Sequence, residues 1–359
     1  MKVKLEEVCE RDSSNLKQSD IIGMEGNYPI YGASGYIGNV NFYHQKNSYV
    51  AVVKDGAGIG RTTLHPAKSS VIGTMQYLVP KDNVIPEYLY YVVSHMHLEK
   101  YFTGATIPHI YFKDYKNEEF NLDSVDEQKQ IVNILGKCET IIKSRKRELK
   151  LLDDLIKARF VEMFGDPVSN SYGLPEATLP ELGEFGRGIS KHRPRNDPKL
   201  LGGGYPLIQT GDVANAGLYI TSYNSTYSEL GLRQSKMWKK GTLCITIAAN
   251  IAKTAILTFD ACFPDSVVGF TANEKTNNIF IHYWFLFFQT ILESQAPESA
   301  QKNINLKILS ELRVIVPKKE KQDEFVDFIH QVDKSKVVVQ KALDETQILF
   351  NSLMQQYFG

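Results

Sequence analysis

A chain of 359 residues is long enough for two or three domains. With 43% hydrophobic and 11% aromatic residues it has material for real cores, which excludes a disordered protein. Its 41 basic and 41 acidic residues cancel, so any nucleic-acid binding has to come from local positive charge or from a partner. The four cysteines, Cys9, Cys138, Cys244 and Cys262, lie far apart without CxxC pairing. That points to a reduced, cytoplasmic protein with neither a disulfide framework nor a zinc site. Met1-Lys2-Val3-Lys4 runs straight into charged residues, unlike a signal peptide. The most apolar stretch, Ile279 to Leu292, is too short to span a bilayer and carries His282 and Gln289. It reads as a buried helix, and no membrane association is expected.

Residues 1–122 form a first globular segment. A short amphipathic piece (VKLEEV) is followed by strand-like runs broken by Gly: YPIYGASGYIG, SYVAVVKDGAGIG, RTTLH and TMQYLVP. A helical piece, PEYLYYVVSHMHLEKYF, has Pro86 suited to its first turn. Ser124-Val-Asp-Glu127 then has capping-box spacing. Residues 123–165 are a long helix, with apolar residues at Ile131, Leu135, Cys138, Ile142, Leu149, Leu152, Ile156, Phe160 and Met163. Arg145 interrupts that three-four seam, and Gly165 with Asp166-Pro167 stops the helix.

Residues 166–317 follow the same plan. TLPEL answers KLEEV, GYPLIQTGDV answers NYPIYGASGY, and GTLCITIAANIAKTAIL answers SYVAVVKDGAGIGRTTL. DSVVGF answers SSVIGT, IHYWFLFF answers EYLYYVVS, and AQKNINLKILSELRVIVP answers ATIPHIYFKDYKNEEFNL. Residues 318–359 are a second long helix with a seam at Phe325, Phe328, Val332, Val339, Leu343, Leu349, Leu353 and Tyr357, interrupted by Lys336 and Thr346. The helical stretches align at an offset of 194, as Phe164-Gly165 and Phe358-Gly359 illustrate. Such a parallel order is an internal duplication. Connectivity favours antiparallel pairing of the helices, with helix two running back towards the first segment. A helix of this length spans roughly 55 Å, about one and a half turns of DNA.

The whole pattern resembles the specificity subunit of type I restriction-modification systems. The resemblance is carried by the openings KLEEV and TLPEL, by YPIYGASG, YPLIQTGD and VVKDGAGIG, and by VDEQKQIV and KEKQDEFV entering helices that end EMFG and QQYFG. It implies an α+β fold with two similar target-recognition domains separated by a long antiparallel two-helix coiled coil, related by a pseudo-two-fold. It implies a non-catalytic chain that binds double-stranded DNA with a bipartite target, one half-site per domain, the helical pair setting the gap. It also implies docking of two methyltransferase (M) subunits and, through them, of restriction/translocase (R) subunits. No cofactor is expected on this chain; S-adenosylmethionine belongs to the methyltransferase partner.

Enzyme readings of the chain itself lack parts. Gly56-Ala-Gly58-Ile-Gly60-Arg61-Thr62 has Asp55 and Arg61 where a P-loop needs Gly and Lys. An adenine methyltransferase would show an Asn/Asp-Pro-Pro-aromatic motif, which is absent, and Asp166-Pro167-Val168 is a helix stop. A nuclease motif could begin at Pro264-Asp265, but Glu274 is followed two residues on by Thr276 rather than Lys. His95 and His97 lie two apart on the predicted helix and so face apart, which disfavours a metal pair.

Local positive charge marks where DNA would meet the chain. Gly186 to Leu200 carries Arg187, Lys191, Arg193, Arg195 and Lys199 against Asp197. Lys54 and Arg61 flank the Gly-rich turn, Lys253 holds the matching place in the second segment, and Lys113 follows the His109 loop. The matched loops Ile107 to Ile110 and Gln301 to Ile304 add His109, Gln301, Lys302 and Asn303. Arg forks suit guanine or phosphate, and Gln or Asn can pair with adenine. The rival readings are a coiled-coil adaptor that binds no DNA and a self-sufficient DNA methyltransferase.

Overall fold

The computed structural model describes residues 1–103, 108–248, 250–295 and 304–359, apart from the side chains of residues 290 and 293–295. The chain divides into two units, Met1–Glu148 with Val339–Gly359, and Leu149–Val338.

In the first unit, strand β1 (Lys2–Lys4) leads into helix α1 (Leu5–Val8). Strands β2 (Cys9–Ser13), β3 (Tyr28–Gly32), β4 (Gly35–Val40), β5 (Tyr49–Val53), β6 (Thr62–His65), β7 (Ser70–Val71) and β8 (Met75–Pro80) follow. Helices α2 (Pro86–His95) and α3 (Phe112–Tyr115) precede β9 (Glu119–Asn121). All five residues of β5, YVAVV, are buried, as expected of a central strand covered on both faces. The main sheet has the order β2-β8-β5-β6, and a smaller one the order β4-β3-β7, with β3 and β7 parallel. Strands β1 and β9 pair antiparallel and close the domain where helix α4 (Val125–Phe164) begins.

The second unit repeats this plan with β10 (Glu176–Thr178), α5 (Leu179–Leu182), β11 (Gly183–Arg187), β12 (Leu201–Leu207), α6 (Thr210–Asn215), β13 (Tyr219–Ile220) and β14 (Ser225–Tyr227). Then come α7 (Glu229–Arg233), β15 (Met237–Trp238), β16 (Leu243–Thr246), β17 (Thr254–Leu257), β18 (Ala261–Cys262) and β19 (Val267–Ala272). Helices α8 (Asn278–Gln295) and α9 (Leu306–Glu311), β20 (Arg313–Ile315) and α10 (Lys319–Phe358) complete it. Its main sheet runs β11-β19-β16-β17-β13, the first unit's order with one strand added. The second sheet again holds a parallel pair, β12 with β18, and β10 pairs with β20 as β1 does with β9. Two chain segments with weak sequence similarity thus share one strand order.

Helices α4 and α10 pack together antiparallel, and each contributes to both units. In the first unit, Ile131 and Leu135 of α4 and Met354 of α10 share a buried core with Tyr88, Tyr91 and Val92 of α2. Phe358 closes it, its ring 5.4 Å from that of Tyr88. In the second unit, Phe160 and Phe164 at the end of α4 meet Phe280 of α8 and Phe325 at the start of α10, with centroids 5.2–5.6 Å apart. The ion pairs Lys336–Asp153 and Arg159–Glu324 bridge the two helices there.

Of the predicted seam, Ile131, Leu135, Ile142, Ile156, Phe325, Val332, Val339 and Leu343 are buried, while Leu149, Leu152, Phe328 and Leu353 are partly so. Leu349 is a correction: it is 51% exposed, and Phe350 packs on the core in its stead. The seam passes through Leu343, Thr346, Phe350 and Leu353 at three-four spacing, which leaves Leu349 about 100° off it.

A buried glutamine anchors the first turn of each long helix. The Gln128 side-chain amide donates to the carbonyls of Asn83 (3.0 Å) and Asp123 (2.9 Å) and accepts from the Ile85 N–H (3.0 Å). Gln322, 194 residues on, donates to the carbonyls of Lys275 (3.0 Å) and Pro317 (2.9 Å) and accepts from the Thr276 hydroxyl (2.9 Å). Both are fully buried, so truncation strands their partners without water. Gln128→Ala or Gln322→Ala is expected to cost about 2–4 kcal/mol, read as a fall of the melting temperature. An unchanged melting temperature would show that the amide does not hold the helix to its domain.

Candidate nucleic-acid interface

In the first unit the β5–β6 connection is a tight Gly-rich turn. The Gly60 N–H donates to the Val53 carbonyl and the Val53 N–H to that of Arg61, both at 2.9 Å. Gly60 has φ +81°, and a Cβ there would lie 2.6 Å from the Glu99 backbone nitrogen, so only glycine fits. A Cβ on Gly58 would collide with the Arg61 guanidinium, so the bare backbone lets Arg61 fold across the turn.

The turn is tied to the segment after residue 107. The Gly56 N–H donates to the Pro108 carbonyl (3.0 Å) and the Ile110 N–H to that of Lys54 (2.9 Å). The His109 Nδ1 lies 2.6 Å from the Asp55 carboxylate. The His109 ring stacks on half-exposed Tyr111, and the Lys113 ammonium sits 5.3 Å from the Tyr111 ring centroid. Lys54, Arg61, His109 and Lys113, separate in sequence, thus belong to one neighbourhood. It offers cations, a stacking face and open backbone.

The matching turn of the second unit lacks glycines, yet Ala252 takes a positive φ of 57°. The Thr246 hydroxyl compensates by accepting from the Lys253 N–H (3.0 Å). The Lys253 ammonium reaches the Gln289 side-chain oxygen at 3.2 Å. The Ile304 N–H donates to the Ile247 carbonyl (2.9 Å), the counterpart of Ile110 to Lys54. Gln301, Lys302 and Asn303 lie outside the described residues.

The basic loop of the second unit gathers on a residue that local sequence reasoning missed. Arg193 and Arg195 both pair with the Asp265 carboxylate, and the Arg187 Nε donates to the Asp265 carbonyl (2.9 Å). Lys191 is exposed and is placed by its backbone N–H, which donates to the Gln234 side-chain oxygen at 2.6 Å. The Lys199 backbone N–H and the His192 ring hold the Asp197 carboxyl below its usual range. Beside the loop is a cleft of about 270 Å³ whose lining includes Arg195, Asn196, Gln209 and Tyr227. The Ser190 hydroxyl in its wall is buried without a partner among the described residues. Gln209 also lines a neighbouring cleft of about 470 Å³ with Asp212, Asn215 and Asn224. Arginine and side-chain amides converging on such clefts are the groups that recognise base edges. Asn196 was visible in the sequence only as part of the basic loop, and Gln209 only as part of the run YPLIQTGD.

All four cysteines are buried; burial pushes the Cys9 thiol up to about 12 and raises those of Cys244 and Cys262, away from the thiolate a nucleophile needs. Among the described residues no group of three or more His, Cys, Asp or Glu could hold a metal ion. His97 corrects the expectation for its pair: helix α2 ends at His95, His97 takes φ 51°, and the two rings lie 6.0 Å apart. Among the described residues no helix is long and apolar enough to cross a membrane.

The family model of the type I restriction modification DNA specificity domain matches residues 1–152 and again residues 176–346. The chain belongs to this family. It is a DNA specificity subunit of a type I restriction-modification system, a non-catalytic part of a complex that acts on DNA. The specificity subunit is 21% identical over 319 residues to the putative type I restriction enzyme MjaX specificity subunit of Methanocaldococcus jannaschii, covering 83% of this chain and 72% of the relative. It is 28% identical over 93 residues to the MjaIX specificity subunit of the same organism, covering 25% of this chain and 22% of that one. Its fold is similar to the type I restriction-modification S subunit from M. genitalium, with a TM-score of 0.64 at 15% identity over 100% of this chain and 96% of that one. A chain from a structural study of type I complex assembly and conformational transition has a TM-score of 0.54 at 13% identity, covering 99% and 97%.

Asp265 partly neutralises the arginines of the second unit. Asp265→Asn keeps an acceptor for one guanidinium and removes the charge. The expected outcome is tighter binding to non-specific duplex and a salt dependence steeper by roughly one unit of log K per log salt, measured by titration at several salt concentrations. Unchanged non-specific affinity would place this loop away from DNA.

Proposed function

We propose that the two β-rich domains, residues 1–122 and 166–317, each read one half of a bipartite DNA target. The carrying observation is one strand order built twice with unlike loops. The shared sheets would give both domains one docking geometry. The Gly-rich turn of one, and the Asp265-centred arginines and polar clefts of the other, would give them different sequences to read.

The helical regions, residues 123–165 and 318–359, would set the gap between half-sites and dock two methyltransferase subunits. Exposed apolar side chains support that docking: Ile134, Ile141, Leu151 and Leu155 on α4, and Val337, Val338, Ile348 and Leu349 on α10. Leu155 and Leu349 are equivalent in the repeat, 194 residues apart. Exposed apolar side chains on both helices, with Leu155 and Leu349 at the matched place, suit two copies of one partner. The methyltransferase subunits would supply S-adenosylmethionine chemistry on adenine and would carry the restriction/translocase subunits, in the cytoplasm.

Co-expression with the cognate methyltransferase, followed by genome-wide mapping of methylated adenine, is expected to give one bipartite motif methylated on both strands. A chain that acts as an adaptor without reading DNA would give none. Inserting one heptad at matched points in both helices adds about 10 Å of helix and is expected to lengthen the gap by about three base pairs. A motif that keeps its gap would remove the spacer role from the helices.

A further inference from the structure

Helix α4 has three kinds of face in the first unit. One is the buried seam, and one is the exposed apolar flank of Ile134 and Ile141. The third lies against the domain. A Cβ on Gly136 would sit 3.9 Å from the Tyr91 hydroxyl, and Glu139 accepts from the hydroxyls of Tyr91 (3.0 Å) and Tyr90 (3.5 Å). Continuing that line at three-four spacing come Lys143, Lys146 and Arg147, all exposed. The repeat accounts for Arg147 alone: the equivalent places on α10 hold Val337, Gln340 and the basic Lys341.

The carboxylates of this part of the two helices are engaged elsewhere. Glu139 is held by the tyrosines, Glu148 pairs with Arg145 at 2.6 Å, Glu345 lies 3.8 Å from Lys341, and Asp344 accepts from Gln340. Among the described residues no ion pair involves Lys143, Lys146 or Arg147. Direction matters too. Helix α2 runs the same way as α4, since Ile85 bonds Gln128 and Tyr91 bonds Glu139. Past the far end of α2, Glu99 packs against Gly60 of the turn that carries Arg61.

From this geometry we infer that Lys143, Lys146 and Arg147 form a phosphate-binding stripe for the DNA backbone just beyond the half-site read by the first domain, within the gap. This rests on the DNA-reading role proposed above and adds a contact that the recognition domains do not supply. The stripe adds affinity and no sequence preference, because phosphates are the same at every base pair.

The test uses the complex with its methyltransferase partner and a duplex carrying the mapped motif. Lys143→Gln/Lys146→Gln/Arg147→Gln keeps good helix formers. Its salt dependence of log K is expected to be flatter by about 2.7, with affinity at 0.1 M salt at least roughly ten-fold weaker and the motif unchanged. Neutral methylphosphonates in the gap should weaken the wild-type complex and leave the triple variant little changed. Replacement by Arg at 143 and 146 should keep the wild-type slope. An unchanged slope in the Gln variant overturns the inference, as does loss of the methyltransferase partner at unchanged slope, which would assign the stripe to a protein contact. Failure of the wild-type complex to bind the duplex would instead sink the reading of the chain's function and this stripe with it.

Discussion

The structure depends on reciprocal burial. Each long helix starts against the domain it leaves, held by a buried glutamine, and ends in an aromatic cluster of the other unit. Phe164 closes on Phe280 and Phe325, and Phe358 closes on Tyr88. The first unit completes its core only with Met354 and Phe358 from the end of α10, and the core of the second draws Phe160 and Phe164 from the end of α4. Truncating one of the buried rings Phe164, Phe280 and Phe325 would cost on the order of 3–5 kcal/mol, a large share of a domain's net stability.

Above that constraint the two domains diverge where divergence is tolerated. Strand order and the pairing of first with last strand are shared. Residues 188–200 make basic the connection that residues 14–27 make in the first domain, and residues 208–224 add helix α6 and strand β13 to the second. The turn after the central strand uses glycines at positive φ in the first domain and Ala252 backed by the Thr246 hydroxyl in the second. One scaffold thus presents two chemically different surfaces. Such surfaces suit the proposed reading of unlike half-sites, and the cations of the second are local and partly balanced, as by Asp265.

The helices and the duplication were legible in the sequence because their signals are periodic and repeated. Three-four spacing marks a seam, and an offset of 194 recurs from Gln128/Gln322 to Phe164/Phe358. The exception at Leu349 shows the limit: a leucine attracts the assignment, while the true slot belongs to Thr346 and the adjacent Phe350. Long-range partners were not legible. Asp265 lies 70 residues from Arg195 and beside a proline that suggests a nuclease motif, and only folding reveals it as the arginine anchor. The role of Gln128 was equally hidden, since its partners Asn83 and Ile85 come from the loop before α2.

Reciprocal burial is tested most directly by hydrogen exchange on a chain ending at Val338, which lacks the part of α10 belonging to the first unit. The account predicts faster exchange at the amides of Tyr49–Val53, nearly 290 residues away in sequence, with Leu243–Thr246 of the second unit still protected. Full protection of Tyr49–Val53 in the shortened chain, or equal loss in both strands, would contradict it.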